Sequence, residues 1–462
     1  MSRYLISGGS VITMDPRLGN LSTGDVLIED GRIAAVAPRL EVEDCRTIDA
    51  HGSIVAPGLI DTHRHVWQSF LRFIAADWSH ADYFHAIRGV LGPRFGADEM
   101  YIANLLGAVE ALDSGITTML DWCHNVNSGE AADAAVRGLK DSGQRTVFAY
   151  GGGNDVWAPL PNDKPLSEDL RRVRSEHFSS DDQLTTMAVC LRGPQFSSVA
   201  ATRSDFELAR ELDLPIQVTV GAGRWSTQVE PVRVLQRENL LGDDVTYVHC
   251  CTLSDDEIRM IADSGGGAAV SPEVEMSMGL GYPATGRLAA AGVAPTPSVD
   301  VVTHVTGELF SVMRTALATE RLRLHEEARA RDEEIAHLGL TVEDMLRFAT
   351  SAAARTLGLD HKIGRLTPGL EADIIIVRTD AIGMFPLNNP IGALVYGTRP
   401  SDVDTIFVRG EPVKERGVLV SVDMDDLRRR AESTRDELLA GTGLSPGFDW
   451  RLNSDDWRAP GA

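Results

Sequence analysis

The 462-residue sequence predicts a (β/α)8 (TIM-type) barrel that carries a small composite β-sandwich built from both chain ends. Three observations lead there. Strand-like runs alternate with helical patterns eight times between residues 57 and 363, as a barrel of roughly 250 residues requires. Each conspicuous polar residue (His63, His65, Asp121, Arg192, His249, Glu273, Asp300) falls at or just past the end of such a run, where barrels place their chemistry. The flanking segments, 1–56 and 364–425, hold short strands too few to close a core alone, so they should pair with each other. Residues 426–462 read as a charged helix followed by an extended arm.

Composition narrows the class. A chain that is 43% hydrophobic and 24% charged is of ordinary globular type. Its net charge of −23 argues against nucleic acid or an anionic membrane as partner and leaves a small molecule. The five cysteines (Cys45, Cys123, Cys190, Cys250, Cys251) are odd in number and lack C-x-x-C spacing, which suits a reducing cytosol. No basic-then-apolar leader and no membrane-length run is evident, so the expected location is cytoplasmic.

In the N-terminal segment the strand patterns are 4–6, 10–13, 25–28 and 32–36, with Glu29-Asp30-Gly31 as a hairpin turn. Their expected partners are Ala372–Val377 and Thr405–Gly410. The first barrel strand ends at His65, after Pro57-Gly58. The others are expected at 116–121, 145–150, 185–191, 215–220, 245–249, 267–271 and 294–300, the last weakened by two prolines. Of the helices, Ser254–Ser264 opens with a capping box, Ser254-Asp255-Asp256-Glu257. The patterns at 98–114, 317–331, 342–357 and 423–440 are also helical.

His63 and His65 lie one residue apart on a strand, so both project to one face and can grip one ion or one substrate. The octapeptide Gly58-Leu59-Ile60-Asp61-Thr62-His63-Arg64-His65 resembles the first-strand signature of the amidohydrolase superfamily, in its cytosine-deaminase and triazine-hydrolase branch. The resemblance covers nearly the whole chain. It implies that His63, His65 and Asp300 hold a divalent ion, zinc or iron, and that His249 and Asp300 handle protons and polarise the substrate. It also implies a homodimer. The expected reaction is hydrolysis of a C–N bond, a deamination or similar, in a small cyclic nitrogen compound; a metal lowers the pKa of water and a carboxylate moves the proton.

One departure stands out. Where the family places a metal-binding histidine and, three residues on, a glutamate, strand five has Thr219-Val220-Gly221-Ala222. The site then either keeps one ion with fewer ligands or holds none. In the second case the same His/Asp cluster would serve a metal-independent lyase, dehydratase or isomerase. A lysine-bridged two-metal site is not expected, because Lys140, Lys164, Lys362 and Lys414 all lie away from barrel strand ends. His124 is a candidate substitute ligand, and Glu273 or Glu275 a candidate for the lost carboxylate. Candidate substrate-binding residues are Trp67, Gln68, Trp122, Arg192 and His304. Arg192 could clamp a carboxylate or pair with an acid, and Trp67, Trp78, Tyr83 and Phe84 could stack on a flat ring or only pack their loop.

Overall fold

The computed structural model describes residues 3–158, 160–420 and 422–444. Among them, eight parallel strands follow one another around the barrel: Leu59–Arg64, Ile116–Cys123, Arg145–Tyr150, Thr185–Leu191, Ile216–Val220, Val245–His249, Gly267–Val270 and Pro295–Pro297. The second, third and sixth are buried at every residue, as parallel strands covered by helices must be. The eighth is only three residues long, because its two prolines cannot donate to the ladder. Closure falls to the residues just beyond it. The Asp300 amide donates to the His63 carbonyl (3.0 Å), and the His65 amide donates to the Asp300 carbonyl (2.8 Å). The last strand is thereby stitched to the first at the point where the candidate ligands sit.

The two chain ends share one further sheet, nine-stranded among the described residues. Its central join pairs Ser53–Pro57 antiparallel with Ile374–Arg378, Val55 opposite Ile376. Tyr4, Ile6, Val26 and Ile28 from one end pack with Ile374, Ile376 and Phe407 from the other in a single cluster. The runs at 4–6 and 10–13, expected as two strands, belong to one strand, Arg3–Val11, broken by register shifts around Gly9. The short strand Arg46–Asp49, which pairs parallel with it, has no apolar alternation and was not expected.

Ser254 caps the helix Asp255–Ser264 as its motif demands: its hydroxyl accepts from the Glu257 amide, and the Glu257 carboxylate accepts from the Ser254 amide. The helix expected at 317–331 starts earlier, as Leu309–Ala330, and the C-terminal helix is Met424–Leu439. The expected arm beyond residue 444 lies outside the described residues. Among the described residues no helix is long and apolar enough to cross a membrane.

One buried ionic clasp joins the sheet to the barrel. Arg145, the first residue of barrel strand three, donates Nε and Nη2 to the two carboxylate oxygens of Asp373 (2.9 and 3.0 Å) and Nη2 also to Glu371 (2.6 Å). All three side chains are nearly inaccessible to solvent. Removing the guanidinium strands two buried carboxylates, so Arg145→Met is expected to cost about 3–5 kcal/mol of stability in denaturant unfolding.

Candidate active site

Each candidate ligand is held by the backbone of a strand end. His63 is the penultimate residue of barrel strand one, and His65 is the first residue past it. Asp61 supports this end from within: its carboxylate accepts from the His63 and Val299 amides (3.3 and 3.2 Å), tying strand one to the approach of Asp300. Burial pushes the Asp61 carboxyl up to about 7, against the pull of Arg64. His249, Cys250 and Asp300 all have left-handed backbone, with φ of 76°, 59° and 65°. For such residues this is strained and persists where the surroundings enforce it, often at functional sites.

The side chains converge. The Nε2 atoms of His63 and His65 lie 3.5 and 3.2 Å from the same Asp300 oxygen, Oδ1. His63, His249 and Asp300 each bring a ligand atom within 4.8 Å of the others. The His65 ring donates from Nδ1 to the Trp122 carbonyl (3.1 Å), since a carbonyl can only accept, and this leaves the Nε2 lone pair facing Asp300. His249 Nδ1 faces the Glu275 carboxylate at 3.3 Å and donates to it, which frees Nε2 in the same way. His63 has no hydrogen-bond partner at either ring nitrogen, although it is buried.

Electrostatics follow this layout. Burial, opposed by Asp300, pushes the His63 imidazole down to about 4, so the ring is neutral at pH 7. For Asp300, burial is the largest influence and disfavours charge, but the His63 and His65 rings outweigh it and hold the carboxyl well below its ordinary range. At His249 burial likewise opposes protonation, and Glu275 and Asp300 together overcome it and raise the pKa.

His63, His65, His249 and Asp300 line one cavity with Trp122, Trp157, Phe84 and Phe196. Thr219 and Ala222 also line it, so strand five brings neither an imidazole nor a carboxylate to the space beside His249. His124 is in the wall but is poorly suited to replace the missing ligand. The Trp67 indole can only donate, and it donates to His124 Nδ1 (3.2 Å), so the neutral ring keeps its proton on Nε2 and has no lone pair left for an ion. His80, not singled out from sequence, is a further wall residue, pushed down to about 4 by burial. The clue available was the capping box Ser79-His80-Ala81-Asp82, which sets His80 at a helix start.

Several candidates are turned elsewhere. Arg192 does not reach the cavity: its guanidinium donates to the carbonyls of Val156, Asn162 and Lys164 and to Asp205, holding the loop after strand three. Glu273 accepts from Ser311 and Thr315 (3.3 and 2.9 Å) and leaves His249 to Glu275. Trp67 and Gln68 stand behind the wall, Gln68 donating to the Tyr83 hydroxyl (2.6 Å). His304 contacts the Trp78 carbonyl at 3.3 Å. Accordingly, Glu275→Gln is expected to lower turnover about 10–100-fold by loosening the His249 ring, while Glu273→Gln stays within about twofold, steady-state kinetics on the two variants being the check.

Residues 54–413 match the model of the amidohydrolase family. The chain belongs to that family. This amidohydrolase is 28% identical over 451 residues to the 5-methylthioadenosine/S-adenosylhomocysteine deaminase of Desulforudis audaxviator, covering 95% of this chain and 99% of the relative. It is also 28% identical over 443 residues to the 5'-deoxyadenosine deaminase of Methanothermobacter thermautotrophicus (94% and 98% covered). Among solved structures, a zinc-bound adenosine deaminase from Xanthomonas campestris superposes with a TM-score of 0.82 at 23% identity, covering 95% and 98% of the two chains. A mutant atrazine chlorohydrolase from Arthrobacter aurescens, complexed with zinc and atraton, gives 0.81 at 22%, with 93% and 99% covered. The structural likenesses speak to the amidohydrolase fold, and the sequence relatives are deaminases by name.

Proposed function

We propose that this amidohydrolase is a hydrolytic deaminase that releases ammonia from an amino-substituted nitrogen heterocycle of the aminopurine type, with one divalent ion at the barrel mouth. The observation that carries the proposal is the meeting of two imidazole Nε2 atoms at one oxygen of Asp300, 3.5 and 3.2 Å away. Two imidazole nitrogens and a carboxylate oxygen gathered at one point form a donor set that a divalent cation would complete. His63, neutral and without a partner at either nitrogen, fits a ligand better than a general base.

His63, His65 and Asp300 would hold the ion, with His249 near enough to complete the set. Two or three imidazoles and a carboxylate suit zinc, and iron equally. When bound, the ion supplies Lewis acidity and makes water a stronger acid. The rest falls to the chain. Asp300 takes the proton from the attacking water and returns it to the departing nitrogen, which leaves as ammonia. His249, with its Nδ1 proton held by Glu275, polarises the ring nitrogen next to the carbon under attack by donating from Nε2. It does so in its doubly protonated form, which burial opposes and which Glu275 and Asp300 together favour. Trp122 and Trp157 wall the site against bulk solvent.

A second reading draws on Thr219 and Ala222, which leave strand five without a donor. Under it the same histidines and Asp300 act as acid–base groups in a metal-independent lyase, dehydratase or isomerase. Ammonia release from a panel of 6-aminopurine nucleosides, aminopyrimidines and aminotriazines, measured before and after exhaustive chelation, tests the choice. Release that chelation abolishes and an added divalent ion restores is the expected result. Turnover that ignores chelation would favour the second reading.

A further inference from the structure

A second cavity opens directly outside the first. The inner cavity is small, about 70 Å³. The outer cavity measures about 660 Å³, within the range of roughly 300–1,000 Å³ usual for small-molecule sites. Phe84 and Phe196 line both, so the chambers meet at this aromatic pair.

The outer wall is unusual for so charged a chain. One side of it is the eight-residue π-helix Phe84–Leu91. Its wider turn brings Phe84 and Gly89 to the same side, and Gly89 adds no side chain there. Ala158, Leu160 and Val229 supply apolar surface elsewhere. Gln195 has its amide occupied, donating to the Ala222 carbonyl (2.6 Å) and accepting from the Ala222 amide (3.3 Å). Among the described residues the remaining polar lining is His85, Asn154 and Gln228. Although charged residues make up 24% of the sequence, none of the described lining residues is Asp, Glu, Lys or Arg. A carboxylate or ammonium group placed there would lose water without gaining a counter-charge.

We infer that the outer chamber is a subsite for a neutral, largely apolar body of the substrate, and that it selects against a charged tail. The inference rests on the deaminase reading for the other half of the molecule: the amino-bearing edge enters the inner cavity while the body stays between and beyond Phe84 and Phe196. Of the two compounds in the name of the Desulforudis relative, 5-methylthioadenosine fits this chamber and S-adenosylhomocysteine, with its amino-acid tail, does not.

The test uses the full-length enzyme with S-adenosylhomocysteine and a series of 5'-alkylthio-5'-deoxyadenosines from methyl to butyl. Affinity is read by titration calorimetry, and ammonia release is followed in parallel. Each added methylene is expected to tighten binding about 4-fold, and S-adenosylhomocysteine to bind at least ~10-fold more weakly than the methylthio compound. Val229→Lys, which puts a cation on the wall, is expected to narrow or reverse that gap. Equal affinity for the charged and neutral tails, indifference to chain length, or no binding across the series overturns the inference. A clear chain-length trend without ammonia release upholds the chamber and retires the deaminase reading; ammonia release without the trend does the reverse.

Discussion

An Asp300→Asn enzyme turns over about 10²–10⁴-fold more slowly than the wild type, the range expected when a positioned proton carrier is lost. The substitution is conservative in shape. Asparagine tolerates left-handed backbone, so the φ of 65° at this position survives, and with it the two backbone hydrogen bonds that join Asp300 to His63 and His65. What disappears is the charge at Oδ1, the atom that both imidazoles face. Steady-state kinetics beside a circular-dichroism spectrum separate lost chemistry from lost fold. Turnover within about threefold of wild type would remove Asp300 from the mechanism.

His63→Ala is the second large effect: more than ~100-fold loss of turnover together with loss of the ion, since the change removes a ligand outright, where even loss of a supporting partner costs about 10–100-fold. Stability should respond in a telling way. An ion present at one hundred times its dissociation constant stabilises a folded protein by about 2.7 kcal/mol, and the variant forfeits this. Compared after chelation, however, the two proteins should melt much closer together, because a buried imidazole with two unpartnered nitrogens is itself a liability in the empty site. Melting curves with and without chelator check both halves. A variant that keeps its ion and its thermal response to chelator would take His63 out of the ligand set.

The strands were legible where a run of apolar, β-branched residues meets a clear stop: strands three, four and six occupy 145–150, 185–191 and 245–249, as the pattern indicates. Strand eight was legible in position but not in length: of 294–300 only Pro295–Pro297 pairs as strand, since its prolines break the ladder and the closing contacts are made by Asp300 beyond it. In the site, His63, His65, His249 and Asp300 could be picked out because strand ends carry barrel chemistry. Glu273 and Glu275 show where such reasoning stops. Two residues apart in a strand they would share a face, but Pro272 begins a helical turn, Pro272–Ser277, and a separation of two then puts them on opposite sides. Glu275 consequently meets His249, and Glu273 meets Ser311 and Thr315. Arg192 depends on carbonyls of a distant loop, from residues 156, 162 and 164, which local pattern does not announce.

The most direct measurement is elemental analysis of the protein purified without added metal, paired with its rate of ammonia release. About one divalent ion per chain, absent from His63→Ala and needed for turnover, is the predicted result. Undiminished turnover by protein carrying no ion would contradict it.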